Sequence, residues 1–493
     1  MYAVEAYPLD MSQYGRLFAS TRVPRRGRDE LVTAAKPPTH IVVARGGALY
    51  RVEVLTPRGD RARPVAEVEG ALAHILGDAS AGGEPPVAAL TGAGRDAWAD
   101  ARAALLAAPG AGGALNAASL AAVDDALFVL TLDGESPDTP EALSRTMLHG
   151  CGTNRWFDKC LNLIVAANGR AGVNWEHAWG DGVAVLNFFN AVFDTVGAEP
   201  ARARPAAPSA AGVAKLAWAL DGAAAGAVRA AAAGTAAAIA ATALKVYQTD
   251  SLNKADIKRS GLSPDGVMQA ALQLAHWRAH GGPLLPSTYE SASTAGFRHG
   301  RTETVRSATP EAAALCAAFE AGGALPEARF SALRAATEQH RALTLDGVKG
   351  QGCDRHLFAL GLLAAADGAA AAPAAAEFFA DPAYAHFKDI RLSTSTMSSP
   401  ALDGGGFGPV SPHSYAVGYG TEERGCHFHI MATVGAGAAA NGPHAAAVAA
   451  PFRGALDNGA LAEGVEGALR DIRSCIVAVK GDTVKGGSGG FKK

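Results

Sequence analysis

The sequence lacks any pairing of its cysteines at metal-binding spacing. Six cysteines are scattered through 493 residues without a C-x-x-C motif: Cys151, Cys160, Cys316, Cys353, Cys426 and Cys475. This excludes a zinc ribbon and a disulfide-stapled scaffold as the basis of the fold. We therefore expect reduced thiols in an intracellular compartment.

The sequence also lacks an excess of charge and a long apolar run. Its 44 Lys and Arg nearly balance its 47 Asp and Glu, for a formal net charge of −3. Without a basic field, nucleic acid is excluded as the expected partner. The longest apolar run, residues 230–244, is mostly Ala and Gly, so no transmembrane segment is predicted. Neither a secretory nor a transit signal is recognisable at the N-terminus.

What is present is an alternation of strand and helix patterns typical of an α/β protein. The length favours two domains. A Pro/Ala-rich segment, Pro200–Gly212, is a candidate linker or surface loop, and Gly222–Ala243 is a predicted Ala-rich helix. In the first third, strands are predicted at His40–Ala44, Leu49–Leu55 and Ala126–Leu132, and helices at Pro64–Leu76 and Asp96–Ala107.

The most informative segment predicts a β-hairpin that ends in a histidine. Strands Leu161–Ala167 and Gly172–Glu176 flank Asn168-Gly169, a strong hairpin turn signal. The two-residue period places Val173, Trp175 and His177 on one face, so His177 is expected to point inward. A helix follows from Gly182, with a predicted buried face of Val183, Leu186, Phe189, Val192 and Phe193.

His177 and Asp181 form a candidate acid–base pair in the run WEHAWGDG. A carboxylate beside an imidazole can fix its tautomer and leave the other ring nitrogen as a base near neutral pH. The alternative is a buried structural pair. Two other motifs are weaker candidates for a functional site. The pair His427-Phe-His429 has no third metal ligand nearby. Ser488 in the glycine-rich tail lacks the strand and helix of a nucleophile elbow.

The segment LNLIVAANGRAGVNWEHAWGDGVAVLNFFNAVF resembles the active-site signature of the carnitine/choline acyltransferase family. Further blocks that resemble the family follow its order along the chain: Ala6 to Pro24, Met147 to Lys159, Thr288 to Arg306, Gly350 to Leu360 and Leu392 to Pro400. The resemblance covers nearly the whole chain. It implies that His177 is the catalytic base, that Asp181 orients it and that Ser395 of Ser393-Thr394-Ser395 stabilises the oxyanion, with no covalent acyl-enzyme.

The resemblance also implies substrate-binding residues. Carnitine is a zwitterion, so its site needs a cation and hydroxyls for the carboxylate and an aromatic side chain for the trimethylammonium. The implied carnitine residues are Tyr289, Ser291, Thr302, Arg355 and Phe407. Arg355 favours carnitine over choline, because choline has no carboxylate. The alternative interpretation of Phe407 is an ordinary core residue.

Coenzyme A and the acyl chain have their own implied residues. Lys254 and Lys258 correspond to the lysines that meet the nucleotide 3′-phosphate, and Ser263 and Asp265 belong to the same block. An i,i+4 spacing places both ammonium groups on one face of a helix; the alternative is a solvated face. Gly405 leaves room for a long acyl chain where short-chain relatives carry a bulky residue. No cofactor is expected to be bound permanently, coenzyme A being a co-substrate, and no metal is implied.

The expected architecture is two α/β domains with mixed sheets, similar to chloramphenicol acetyltransferase, with the active site between them. Residues 1–215 would form the catalytic domain and residues 216–493 the coenzyme A and carnitine domain. The resemblance further implies a mitochondrial protein of fatty acid oxidation, with peripheral contact to the inner membrane. Because family members generally continue upstream of the block at Ala6, a shortened N-terminal domain is expected. The alternatives are a non-catalytic binding paralogue and a carnitine acetyltransferase.

Overall fold

The computed structural model describes residues 8–196, 206–282, 285–368, 373–396, 398–434 and 456–481. It divides into two compact units. One is Met11–Ala240, and the other runs from Ala241 onward and includes the N-terminal segment that ends at Asp10. Residues 200–205 of the candidate linker and the whole glycine-rich tail lie outside the described residues.

The first unit is built on a six-stranded mixed sheet. Its order is β7-β6-β5-β3-β4-β8, and the pairs β6/β5 and β5/β3 are parallel while the others are antiparallel. The strands are β3 (His40–Arg45), β4 (Ala48–Glu53), β5 (Val129–Leu132), β6 (Leu161–Val165), β7 (Ala171–Trp175) and β8 (Val213–Lys215). Strands β1 (Ser20–Val23) and β2 (Glu30–Thr33) form a separate antiparallel pair. In this order β7, the strand that leads to His177, lies at an edge of the sheet.

Helices flank this sheet and bury its faces. They are α1 (Val65–Gly77), α2 (Arg95–Leu106), α3 (Gly112–Asp125), α4 (Pro140–Leu148), α5 (Gly182–Val196) and α6 (Gly222–Ala240). Helix α6 packs into the core through Ala224, Val228 and Ala231. By length and composition alone α6 would pass as a membrane-spanning helix, a test that core helices also pass.

The second unit repeats the pairing scheme of the first. Its sheet has the order β11-β10-β12-β13-β14-β9, again with two adjacent parallel pairs, β10/β12 and β12/β13. The strands are β9 (Thr242–Thr249), β10 (Thr288–Ser293), β11 (Thr302–Val305), β12 (Leu392–Thr396), β13 (Tyr415–Thr421) and β14 (Cys426–Thr433). The Ser393-Thr394-Ser395 motif therefore lies on a central strand with a parallel neighbour on each side.

The helices of the second unit begin and end at clear sequence signals. They are α7 (Lys254–Ser260), α8 (Pro264–His280), α9 (Pro310–Glu320), α10 (Pro326–Val348), α11 (Asp354–Asp367), α12 (Pro373–Ala380), α13 (Pro382–Lys388) and α14 (Asn458–Lys480). Asn253 caps α7, which ends at Gly261 with a positive φ of 83°. Ser263 caps α8 ahead of Pro264 in the first turn, the arrangement that N-cap preferences favour.

The fold class predicted from the sequence is confirmed. Two mixed sheets with flanking helices are present, the hairpin and the Ala-rich helix form, and the early strands and helices match their predicted ranges to within a few residues. The structural division at Ala240 and Ala241 lies beyond residue 215, because β8 pairs with β4 and α6 packs on the first unit. The assignment of separate functions to residues 1–215 and 216–493 stays a prediction.

The predicted buried face of α5 is wrong. Val183 and Phe193 are 60% and 53% exposed, whereas Ala184 and Val185 are buried. Through these two residues the helix packs into the hydrophobic cluster that contains Leu17, Leu161 and Trp179. The sequence alone does not show which side of an apolar helix meets that cluster, since both sides of α5 carry apolar residues.

Candidate active site

The hairpin that leads to His177 forms where Asn168-Gly169 indicated. Strands β6 and β7 pair antiparallel from Leu161 opposite Trp175 to Val165 opposite Ala171. Gly169 has a φ of 80°, a left-handed conformation that glycine adopts without strain. The loop is longer than two residues, because pairing ends at Val165 and Ala171. The turn therefore fixes the register in which β7 pairs with β6.

Ion pairs hold the chain where β7 ends. Arg22 on β1 donates to a carboxylate oxygen of Glu176 at 3.1 Å and to Asp29 at 2.6 Å. Asp29 also accepts from Arg95 at 2.7 Å, and Arg95 donates to Asp158 at 2.7 Å. The residue before the candidate base is thus tied to a network of alternating charges. Such a network stabilises one geometry better than an isolated surface pair does.

Two further contacts shape the turn that carries His177. The indole nitrogen of Trp179, a buried side chain, donates to the Cys160 carbonyl oxygen at 2.9 Å. The backbone N–H of Ala178 donates to a Glu176 carboxylate oxygen at 2.9 Å. The turn is therefore anchored on both sides of the histidine.

The inward orientation predicted for His177 is wrong. Strand β7 ends at Trp175, so the two-residue period no longer applies at His177, and 64% of its side chain is exposed. Its Nδ1 lies 3.8 Å from Asp181 Oδ1, an ion-pair distance that exceeds a hydrogen bond. The structure thus brings the two predicted partners close, with the imidazole accessible.

Gln13 holds Asp181 from the other side. Its amide nitrogen donates to Asp181 Oδ2 at 2.9 Å, and its amide oxygen accepts from the Asp181 backbone N–H at 2.7 Å. One glutamine therefore fixes both the backbone and the carboxylate of the residue that faces the imidazole. Sequence reasoning missed Gln13, although it lies in the block from Ala6 to Pro24 that resembles the family.

We expect Gln13→Ala to lower carnitine-dependent thiol release by about 10-fold, because a poorly oriented carboxylate supports the base less well. Tyr14→Phe is the matched control, since the Tyr14 hydroxyl accepts from Asn187 and does not contact Asp181. Initial rates of both purified variants test this. Equal losses in the two variants would show that the segment matters only for folding.

In the second unit, three of the predicted carnitine residues lie together. Arg355, in the first turn of α11, donates through Nη2 to the Tyr289 hydroxyl and to Thr302 Oγ1, both at 3.2 Å. Its Nε donates to the Thr302 carbonyl oxygen at 3.1 Å. The guanidinium carbon lies 5.8 Å from the centre of the Tyr289 ring. The result is an exposed cation with two hydroxyls beside it, a set suited to a carboxylate.

Strand register places Ser291 and Ser395 on the same sheet face as Tyr289. Tyr289 pairs with Ser393 and Glu290 with Thr394, so the odd-numbered residues of β10 and β12 share one side. Glu290 and Thr394 lie on the opposite, buried side. The candidate carnitine residues and the candidate oxyanion donor therefore occupy neighbouring positions on one surface.

The glycine-rich segment around Gly405 lies against β13 and β14. A Cβ atom at Gly418 would approach the Gly405 carbonyl oxygen to 2.4 Å, and one at Gly404 would approach His429 Nε2 to 2.4 Å. These contacts require glycine for the close approach of the backbone to the sheet. Phe407, the predicted aromatic partner of the trimethylammonium, is half-buried in the same segment.

The predicted coenzyme A residues fall on two consecutive helices. Lys254 and Lys258 lie on α7, as the spacing predicted, and Lys258 is exposed. Ser263 accepts from the Gly266 backbone N–H at 3.3 Å as the N-cap of α8. Asp265 follows in the first turn of α8, with 40% of its side chain exposed.

Only partial signals in the sequence point to the supporting residues. Arg22, like Gln13, lies in a block that resembles the family, and Glu176 precedes the histidine directly. Their contacts are long-range, since Arg22 and Glu176 are 154 positions apart. Within the described residues one group has side chains of metal-binding types in reach of one another, Asp265, Glu290 and His340.

Comparison with known proteins identifies the family of the chain. Residues 2–442 match the model of the choline/carnitine O-acyltransferase family. The chain belongs to that family.

Several individual members of the family are similar to this chain over most of its length. The chain is 43% identical to mouse mitochondrial carnitine O-palmitoyltransferase 2 over 429 residues, and 42% identical to the human protein of that name over 438 residues. These matches cover 86% of this chain and 63% and 64% of the relatives. The bovine muscle isoform of carnitine O-palmitoyltransferase 1 is 33% identical, over 85% of this chain and 55% of its own length. The chain thus spans less than two thirds of the length of these relatives.

Proposed function

We propose that this chain is a carnitine O-acyltransferase that moves a long-chain acyl group between coenzyme A and L-carnitine. The observation that carries this proposal is the cluster of Arg355, Tyr289 and Thr302 in a member of this family. An exposed guanidinium with two hydroxyls at 3.2 Å matches the carboxylate that carnitine has and choline lacks. Relatives at 42–43% identity are named palmitoyltransferases, which supports the long-chain assignment.

In the proposed reaction His177 acts as a general base. It removes the proton from the carnitine hydroxyl while that oxygen attacks the thioester carbonyl of acyl-coenzyme A. The tetrahedral intermediate collapses with release of the coenzyme A thiolate, which takes the proton back from His177. Asp181 stabilises the imidazolium, and Ser395 Oγ donates to the oxyanion. The acyl group passes directly between the substrates, so the chain forms no covalent acyl intermediate.

The remaining site residues bind the substrates. Ser291 joins the carboxylate set and Phe407 contacts the trimethylammonium. Lys254 and Lys258 bind the 3′-phosphate of coenzyme A, with Ser263 and Asp265 on the adjoining helix. Gly405 leaves the acyl path open. Coenzyme A serves as a co-substrate, and no permanently bound cofactor is required for this chemistry.

We propose a mitochondrial setting in fatty acid oxidation, because the relatives at 42–43% identity are named mitochondrial. Peripheral contact with the inner membrane is part of this proposal. The division of labour follows the sequence prediction: residues 1–215 supply the base, and residues 216–493 supply the coenzyme A and carnitine groups.

The test is thiol release from palmitoyl-coenzyme A by the purified chain with and without L-carnitine. We expect release that requires carnitine, fails with choline and is faster with palmitoyl- than with acetyl-coenzyme A. Faster release from acetyl-coenzyme A would favour the carnitine acetyltransferase alternative. Saturable binding of palmitoyl-coenzyme A by a folded chain without release would instead support the non-catalytic paralogue.

A further inference from the structure

A polar cluster on the buried side of β10 includes Asp265, one of the candidate coenzyme A residues of the second unit. His340 on α10 has Nε2 3.0 Å from Asp265 Oδ2 and 3.3 Å from Glu290 Oε2. The Tyr419 hydroxyl on β13 lies 2.6 Å from Asp265 Oδ1 and 2.5 Å from Glu290 Oε1. The cluster thus joins four elements through two carboxyl groups. The side chains of His340 and Glu290 are 6% and 7% exposed.

The protons of this cluster can be counted. Tyr419 has one hydroxyl proton, which it can donate to one carboxylate only. Both carboxyl contacts are short, so one carboxyl must carry a proton and donate to the tyrosine oxygen. Gln269 Nε2 also donates to that oxygen, at 3.1 Å. One donated and two accepted hydrogen bonds then satisfy Tyr419 completely.

The proton is assigned to Glu290, the more buried of the two carboxyl groups, because its side chain is 7% exposed and that of Asp265 is 40% exposed. Burial, together with the nearby Asp265 carboxylate, raises the pKa of Glu290. For the more exposed Asp265, burial raises the pKa, but hydrogen bonds from His340 and Tyr419 outweigh it and lower the pKa overall. For His340, burial lowers the pKa, but hydrogen bonds to Asp265 and Glu290 outweigh it and raise the pKa to about 9. With His340 as an imidazolium, Asp265 as a carboxylate and Glu290 as a neutral carboxyl, the cluster has no net charge.

The cluster is connected to the candidate substrate face. Gln269 Nε2 donates to Thr394 Oγ1 at 3.0 Å, and Thr394 Oγ1 donates to the Tyr289 carbonyl oxygen at 3.0 Å. Glu290 lies between Tyr289 and Ser291 along β10, on the opposite side of the strand. The cluster therefore fixes the strand that carries two candidate carnitine residues against the helix that begins with the candidate coenzyme A residues.

We propose that His340 is a positioning residue, whose Nε2–H donates to Asp265 beside a protonated Glu290 and so holds β10 and α8 in the geometry that binds both substrates. This inference rests on the proposed transfer reaction. It assigns no direct substrate contact to His340. Displacing either element by about 1 Å would cost on the order of 100-fold in rate, the usual penalty for misplaced reacting groups.

Four variants separate the proton arrangement from simple packing. Glu290→Gln keeps a donor toward Tyr419 and no charge, so we expect kcat/KM to remain within about 3-fold of wild type. His340→Gln keeps a donor at the place of Nε2 and is expected to retain most activity at pH 7. His340→Leu removes the donor, and we expect about a 100-fold loss in kcat/KM with higher KM values for both substrates. Tyr419→Phe removes the shared hydroxyl, with an expected loss of about 10-fold.

The pH dependence of unfolding gives a readout that does not require activity. Because the pKa of His340 is raised in the folded chain, its contribution is complete below about pH 6.5 and is lost as pH rises through about 9. We expect the urea midpoint of the wild-type chain to fall over this window, and the fall to be absent in His340→Gln. This variant also supplies a measurement if His340→Leu does not fold.

These results distinguish the inference from the proposed function. A pH-dependent midpoint that disappears in His340→Gln, in a chain without carnitine-dependent release, would retain the cluster and reject the transferase. An active wild type whose His340 variants match it in rate and pH dependence would overturn the inference. A large loss in Glu290→Gln would show an ionised Glu290 and overturn it too. So would one equivalent of tightly bound divalent metal that Glu290→Gln releases, because the group would then be a metal site.

Discussion

Replacing His177 with alanine is expected to lower carnitine-dependent thiol release by about 10²- to 10⁴-fold, the usual contribution of a positioned general base. The side chain is largely exposed at the end of β7, so its removal leaves no cavity in the core. We therefore expect the urea midpoint to stay near that of wild type. Initial rates and unfolding curves on the same preparations measure both effects.

His74→Ala is the matched control for His177. His74 lies on α1 and is also an exposed histidine of the first unit. Its replacement is expected to leave the rate unchanged. If His177→Ala retained more than about a tenth of the wild-type rate, the base would have to be another group, given the size of effect that base removal normally has.

Replacing Arg355 with glutamine is expected to raise the KM for L-carnitine by about 10- to 100-fold, while the KM for palmitoyl-coenzyme A stays nearly constant. A charged hydrogen bond to a carboxylate contributes about 1.5–3 kcal/mol, and each 1.4 kcal/mol corresponds to a tenfold change. The variant also loses its contacts with Tyr289 and Thr302. Steady-state kinetics with each substrate varied in turn separates the two KM values.

Two comparisons sharpen the Arg355 experiment. Arg341→Gln on α10 removes an exposed arginine outside the candidate site and is expected to change neither KM. Any slow reaction with choline should be unaffected by Arg355→Gln, because choline offers no carboxylate. A parallel rise of both KM values in Arg355→Gln would mean that the residue supports the fold of the second unit instead of binding carnitine.

Local patterns and family resemblance predicted much of the fold because the signals lie within short segments. The Asn-Gly turn predicted the hairpin and the alanine block predicted α6, whereas the caps at the starts of α7 and α8 were recognised only in the structure. Such signals depend on backbone preferences that neighbouring residues determine. Strand order did not follow from them, since β12 pairs with β10 across about a hundred residues that include β11 and several helices.

The supporting residues of the candidate site could not be predicted for the same reason. His177 was expected to face inward because the alternation was extended past Trp175, where the strand in fact ends. Gln13 meets Asp181 across 168 positions, and Tyr419 meets Glu290 across 129. Contacts of this kind arise only when distant elements pack together. Residue types and spacing identify candidate reactive groups, whereas tertiary packing decides how they are held.

Because β7 lies at the edge of its sheet, we expect the segment that follows it, which includes His177, to have a low local stability. An edge strand has hydrogen-bonded neighbours on one side only, so its amides exchange with solvent through openings smaller than global unfolding. Strand β12 is paired on both sides, so we expect it to open only together with its neighbours. On mild heating or in low urea, the segment around His177 would therefore fray before the strand that bears Ser395. The candidate base would then lose its position first, while most of the tertiary structure remains intact.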